Sequence, residues 1–248
     1  MATWITAKVL ENRQWNDCLH SLRIDIELPP FLAGQFTRLA LNIGGEQIAR
    51  PYSICSAPGD PVAEFYFNVV DQGPLSPRLA ALRPGDSIEV ATPANGFLTI
   101  EELPNTCDLW MIATGTGLGP FLSILKTEKV WQQFHRLILV HGVRTADELS
   151  YSEFIEPLAQ RNPEKFQFIP FLSRESAPVI GLDGRIPAAI ADGRLEQIAD
   201  TSFSARESQV MLCGNLGMIQ DATEALKDKG LTKNLRRQPG QITSEKYF

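Results

Sequence analysis

The chain has 248 residues, of which 44% are apolar and 21% charged, and its formal net charge is −6; these are the proportions of an ordinary globular protein able to bury a core in one large or two ordinary domains. The acidic balance disfavours nucleic acid as the main partner, and no run approaches the roughly 18 to 20 apolar residues of a membrane helix. Four widely spaced cysteines (18, 55, 107, 213) and three histidines without ligand spacing argue against a disulfide framework, a metal site or an iron–sulfur cluster, and the absence of a charged-then-apolar leader gives the expectation of a cytoplasmic protein.

In chain order, the first hundred residues read as β-structure. Thr3–Leu10, Cys18–Leu28, Gln35–Ile43, Gln47–Cys55, Glu64–Val70 and Ser87–Ala91 are short runs separated by Pro29-Pro30, Gly44-Gly45, Pro58-Gly59-Asp60 and Pro84-Gly85-Asp86. Strands at this spacing predict a small antiparallel barrel, with Leu75–Leu82 as one helical insert. Glu101–Asn105 reads as a linker, dividing the chain into residues 1–101 and 102–248. Beyond it, apolar strand runs at 109–113, 136–143, 166–172 and 210–213 alternate with helical patterns. That alternation predicts a parallel sheet covered by helices, with ligands bound beyond the carboxyl ends of its strands. The loops after 113, 143, 172 and 213 should therefore share one edge.

The stretch Leu109–Leu125 organises this second half. A strand breaks into the glycine-dense turn Thr114–Gly119, and apolar residues at 118, 121, 122 and 125 then follow helical spacing, with Pro120 in the first turn. Glycines 115, 117 and 119 let a ligand approach the backbone, although a tight strand-to-helix turn explains a lone Gly-x-Gly-x-Gly equally well. In the barrel half, Arg50-Pro51-Tyr52-Ser53 offers a cation, a flat ring and a hydroxyl, with Arg50 and Tyr52 on one strand face. The alternative is a solvated arginine beside an ordinary strand tyrosine. Gly73-Pro74-Leu75-Ser76 opens the helical insert, where Ser76 either holds an anion or caps the helix.

Arg-x-Tyr-Ser at 50–53, Gly-x-Leu-Ser at 73–76, Gly-Thr-Gly-x-Gly-Pro at 115–120 and Cys-Gly-Asn at 213–215, in that order, resemble the ferredoxin–NADP reductase family over nearly the whole chain. Leu-Ser-Pro-Arg-Leu at 75–79, Leu-Trp-Met at 109–111, Val-Met-Leu-Cys-Gly-Asn at 210–215 and Leu-Arg-Arg-x-Pro-Gly at 235–240 are similar to its bacterial flavodoxin/ferredoxin branch. The resemblance implies an FAD-binding barrel, an NADP-binding α/β domain and a ferredoxin or flavodoxin as transient partner. It implies FAD contacts at Arg50, Pro51, Tyr52, Ser53, Phe67, Val69, Pro74, Leu75, Ser76, Thr116, Tyr247 and Phe248. It likewise implies NADP contacts at Thr116, Gly117, Arg144, Ser173, Arg174, Arg185, Cys213, Gly214 and Asn215. Ser53, Cys213 and Glu245 fall at the family's catalytic positions, Glu245 either relaying a proton or facing water. No metal and a monomeric state are expected. Which of Tyr247 and Phe248 covers the flavin stays open.

Three arginines at strand ends also suit the dianionic 2′-phosphate of NADP. Residues 227–237 carry Lys227, Lys229, Lys233, Arg236 and Arg237 against Asp228, a local net of +4 on an acidic chain. This is either a solvated helix end or, through Lys233, Arg236 and Arg237, a docking rim for an acidic carrier. Two rival functions keep the fold: an FAD subunit without its own reaction in a larger complex, and a reductase of free flavin or one driven by NADH.

Overall fold

The computed structural model describes residues 2–104, 106–178 and 181–246. Its first sheet contains β1 (Thr3–Gln14), β2 (Leu19–Asp25), β3 (Phe36–Ile43), β4 (Glu46–Ser53), β5 (Ala63–Asn68) and β6 (Ser87–Thr92). The order is β4-β3-β6-β1-β2-β5, antiparallel at every pairing. Just past the end of β4, an Ile54–Phe65 bridge and a hydrogen bond from the Cys55 N–H to the Glu64 carbonyl (2.8 Å) join the chain to β5, the other outer strand. The sheet thus closes on itself, which shields its edges from pairing with another chain. Leu22, Ile24, Leu39, Ile54, Phe65 and Val90 fill its interior. Strand β1 runs past the expected Leu10 to Gln14, because a register shift between Val9 and Glu11 lets the polar residues 11–14 continue pairing with β2. The insert is a five-residue helix, α1 (Ser76–Ala80).

The second sheet is parallel throughout. It contains β7 (Asp108–Thr114), β8 (Arg136–Val143), β9 (Phe166–Leu172), β10 (Leu182–Asp183), β11 (Ser208–Gly214) and β12 (Ile242–Lys246), in the order β10-β9-β8-β7-β11-β12. Winding runs outward from β7 to β10 and then restarts on the other side of β7 with β11. The carboxyl ends of β7 and β11 are therefore the switch point of the sheet, where doubly wound folds bind ligands. Helices α2 (Gly119–Leu125), α3 (Glu128–Gln133), α4 (Ser152–Arg161), α5 (Ile186–Ala191), α6 (Arg194–Ala199) and α7 (Leu216–Asp228) complete the chain. Trp110, Ile112, Ile138, Val140, Val210 and Leu212 on one sheet face pack against Ile186 and Ile190 of α5, Leu195 of α6 and Ile219 and Leu226 of α7. Among the described residues no helix is long and apolar enough to cross a membrane.

The expected single cut near 101 is not the division the structure makes. One compact unit comprises residues 1–100 and 119–127, the other 101–118 and 128–248. Helix α2 joins the first unit because its seven residues are all buried there. The Ser123 hydroxyl donates to the Ser56 carbonyl (2.7 Å), and Lys126 Nζ donates to the Cys55 carbonyl (2.9 Å) while pairing with Glu64 (3.0 Å). Ile100–Glu102, overlapping the start of the expected linker Glu101–Asn105, form a short 3-10 turn.

Candidate functional site

In the first unit, β4 carries Arg50, exposed, and Tyr52 two residues on. Strand alternation puts both on one face, and the Arg50 charge acts on the Tyr52 phenol, opposing the burial that pushes its pKa up to about 12. The phenol therefore stays neutral and able to donate at any physiological pH. Its ring meets Phe67 edge-on, with centroids 5.9 Å apart. Phe67 in turn stacks on His20 (5.8 Å, 21°), its cross-strand partner in β2. Ser53 is buried at the end of β4, and Pro51 and Pro74 are exposed. The Ser76 hydroxyl accepts from the Val70 N–H (2.9 Å), which binds the 70–76 turn and leaves the hydroxyl proton for another acceptor. Ser76 is the first residue of α1, not its cap, and α1 has no side-chain cap.

Two of the residues named for FAD are packed inside the barrel. Leu75 and Phe67 are 1% and 2% exposed as whole residues and belong to the barrel core, whereas Val69 is half-buried. Strand periodicity and a motif place a residue near a site, but barrel packing decides which way its side chain turns. Tyr247 and Phe248 lie outside the described residues.

In the second unit, the turn Gly115–Leu118 leaves β7 as a 3-10 segment, with Gly115 at φ +53°. A Cβ on Gly117 would lie 2.6 Å from the Cys213 carbonyl carbon. A Cβ on Gly214 (φ +138°) would strike the Thr114 hydroxyl and come within 2.9 Å of the Thr114 carbonyl oxygen. The two loops at the switch point therefore pass each other with no room for side chains. The Thr114 hydroxyl also accepts from the Asn215 N–H (3.0 Å). Asn215 was expected to hold nucleotide, but its side-chain oxygen caps α7, accepting from Gly217 (2.8 Å) and Met218 (3.4 Å). Thr116 is buried within the turn.

Cys213 is wholly buried, with Ala113 opposite it in β7 and Glu245 opposite it in β12. Burial first, and the Glu245 charge second, hold its thiol well above the ordinary range, so it is a neutral, small, polarisable neighbour rather than a thiolate. The sequence pattern does not predict the strand β12 that brings Glu245 there. Its segment Ile242–Lys246 is short and mostly polar, and it forms a strand only by lying alongside β11.

The arginines gather as expected at the carboxyl edge. The Ser173 N–H donates to the Val143 carbonyl (3.1 Å) and the Arg174 N–H to the Arg144 carbonyl (2.9 Å), tying the loops after β8 and β9 together. Arg185 follows β10, whose Asp183 pairs with Leu172 at the end of β9. Arg174 and Arg185 are exposed and in no ion pair among the described residues. Arg144 differs, since Glu148 engages its guanidinium (2.9 Å) and its N–H (3.0 Å).

A third cluster lies after α7. Leu235 and Gln238 exchange backbone hydrogen bonds (3.0 and 2.9 Å), so Arg236 and Arg237 occupy the tip of a two-residue turn. Lys227, Lys233, Leu235 and Gln238 line a groove of about 410 Å³ at its base. Lys227 pairs with Glu224 (2.8 Å) and Lys229 with Glu196, so these two cations are committed to the protein's own acids.

One unit built as an antiparallel barrel and another as a parallel sheet with a glycine cradle at its switch point are the parts of a flavin- and nicotinamide-nucleotide-dependent oxidoreductase. Comparison with known families agrees: residues 16–98 match the oxidoreductase FAD-binding domain and residues 111–224 the oxidoreductase NAD-binding domain. The chain is 45% identical over 249 residues to the flavodoxin/ferredoxin–NADP reductase of Escherichia coli K12, covering all of both chains. It is 32% identical to the ferredoxin–NADP reductase of Azotobacter vinelandii, over 97% of this chain and 96% of that one. A ferredoxin NADP+ reductase from Neisseria gonorrhoeae, solved with bound FAD and NADP, superposes along the full length of both chains with a TM-score of 0.94 at 34% identity. The chain belongs to the flavodoxin/ferredoxin–NADP reductase family.

Proposed function

We propose that this protein transfers electrons between NADPH and a one-electron carrier, a ferredoxin or flavodoxin, using FAD. The observation that carries the nucleotide half is the exposed pair Arg174 and Arg185 with Ser173 on the sheet edge that also holds the glycine cradle. A crowded backbone loop suits a pyrophosphate or a flat ring, and exposed guanidinium groups suit a 2′-phosphate dianion. On this reading Thr116, Gly117, Cys213 and Gly214 hold the nicotinamide end, with Glu245 as their polar neighbour. Asn215 contributes by fixing the start of α7.

On the barrel, the fit with FAD rests on Arg50 as counter-charge to its pyrophosphate, the Ser76 hydroxyl proton as donor to it, and the neutral Tyr52 with Ser53 beside the flavin ring. When bound, flavin supplies exchange of electrons either in pairs or singly, which links hydride donors to one-electron carriers. The protein's part is to bind and orient, and to keep Tyr52 and Cys213 uncharged. The carrier is a protein with an acidic face, for which Lys233, Arg236 and Arg237 beside the apolar Leu235 form the matching surface. Long-range attraction there raises the association rate and is screened within roughly 8 Å at physiological salt.

The test is reduction of purified flavodoxin or ferredoxin by the FAD-loaded protein with NADPH. Carrier should be reduced, and Lys233→Glu/Arg236→Glu/Arg237→Glu should slow it about tenfold at low salt while ferricyanide reduction stays near normal. Ferricyanide reduction without carrier reduction in the unaltered protein would refute the carrier half. An unchanged carrier rate in the triple variant would refute the docking surface alone.

A further inference from the structure

His141 is a polar residue in the interior strand β8, flanked along the chain by Leu139, Val140 and Val143, and it is wholly buried. One ring nitrogen, Nε2, lies 3.0 Å from the Gly115 carbonyl oxygen. The other, Nδ1, is buried and finds no hydrogen-bond partner among the described residues. An unpaired acceptor in a core has a free-energy cost that a leucine at the same place would avoid. The bond that Nε2 makes is therefore what the residue contributes.

That bond has a single arrangement. Burial drives the ring pKa down to about 4, with the Gly115 contact opposing, so the imidazole is neutral at physiological pH and carries one proton. A carbonyl can only accept, so the proton sits on Nε2 and points at Gly115; the other tautomer would set two lone pairs against each other and bury an unpaired N–H. Gly115 is the residue at φ +53° where the chain turns out of β7. Within its unit the cradle is thus held at three successive points: the Thr114 hydroxyl by the Asn215 N–H, the Gly115 carbonyl by His141, and Gly117 by the backbone of Cys213. Without the middle point, the peptide after Gly115 is free to rotate and redirect the N–H groups that follow.

We propose that His141 is a positioning residue for nucleotide binding, a one-directional donor beneath the glycine turn that fixes its backbone for the pyrophosphate and nicotinamide part of the ligand. The inference rests on the reading of this edge as the NADP site. It differs from ordinary core packing in one respect: it concerns only the part of the nucleotide that meets the turn. The 2′-phosphate and its adenosine lie with the arginines and are untouched by it.

The experiment uses the FAD-loaded protein and calorimetric titration with NADP+ and, separately, with 2′,5′-ADP, which lacks nicotinamide and the second phosphate link. His141→Leu should bind NADP+ about five- to tenfold more weakly, the range expected for losing one hydrogen bond, and 2′,5′-ADP within about twofold of normal. His141→Gln, whose amide reaches as far as Nε2, should recover most of the loss, and the shorter His141→Asn should not. Equal losses for both ligands, or none, would overturn the proposal. If His141→Leu does not fold, equal affinities of the Gln and Asn variants would overturn it. Amide hydrogen exchange at 115–118 in nucleotide-free protein separates this claim from the reading beneath it. Exchange should quicken in the Asn variant and not in the Gln variant, and unchanged exchange would overturn the positioning role. Failure of the unaltered protein to bind either nucleotide would instead overturn the NADP reading.

Discussion

The glycine turn after β7 and the arginines after β8, β9 and β10 share one edge of one sheet, yet they are built in opposite ways. The turn is buried, uncharged and crowded; its conformation is fixed by Thr114, His141 and the Cys213 backbone before any ligand arrives. The rim is exposed, charged and sparsely tethered, with Arg174 and Arg185 outside any ion pair among the described residues. A prearranged backbone has little entropy left to lose on binding, so it suits the part of a nucleotide common to NADH and NADPH. Exposed arginines act by charge, which water and salt weaken, and they suit the one group that distinguishes NADPH.

Substitutions that break this contrast should rank accordingly. Gly117→Ala should have the largest effect, because its methyl group must displace the Cys213 backbone rather than a flexible side chain. Misplacement on the order of 1 Å costs roughly 100-fold in rate, so hydride transfer from NADPH and NADH should slow together by about that factor and the binding of both should weaken in parallel. Parallel titrations with the two nucleotides check this. Selective loss of NADPH would show that the turn reads the 2′-phosphate after all.

Arg174→Ala/Arg185→Ala should have the next largest effect and a different signature. Two exposed, charge-assisted contacts are together worth a roughly 30-fold loss, and it should fall on NADPH while the KM for NADH hardly moves. Arg144→Ala should cost least, a few-fold at most, because Glu148 already neutralises that guanidinium and spends part of its hydrogen-bonding capacity. Comparing the KM values of both nucleotides in the two variants orders the rim. An Arg144 loss equal to that of the pair would mean that Glu148 is displaced on binding.

The contrast also marks what a sequence can disclose. Strand alternation and turn residues were enough for the barrel, and the β/α alternation after 105 was enough for the parallel sheet and for gathering 113, 143, 172 and 213 at one edge. The charged rim was legible because arginines at strand ends need no partner to be exposed. The turn was legible only as glycines. What holds it comes from residues distant in the chain, such as Thr114 with Asn215 and Gly115 with His141, and a lone histidine in an apolar strand gives no pattern to read. Strand β12 escaped for a similar reason: Ile-Thr-Ser-Glu-Lys has little strand character of its own and pairs only because β11 offers an edge. For Leu75 and Phe67 a motif gives the position in the chain and not the direction in which the core turns the side chain, and both belong to the barrel core. That helix α2 packs with the first unit is not legible, because its contacts are with Ser56, Cys55 and Glu64, which lie 67, 71 and 62 residues before their partners.

The most direct measurement of the central claim needs no variant. NADP+ and NAD+ are titrated onto the FAD-loaded protein from about 10 mM to about 500 mM salt, a range over which the screening length falls from roughly 30 Å to a few ångströms. If the turn binds by shape and the rim by charge, NADP+ affinity should fall steeply with salt, while the weaker NAD+ affinity stays nearly flat, so that the two converge at high salt. Parallel lines for the two nucleotides would contradict the account, because the 2′-phosphate would then owe nothing to the arginines.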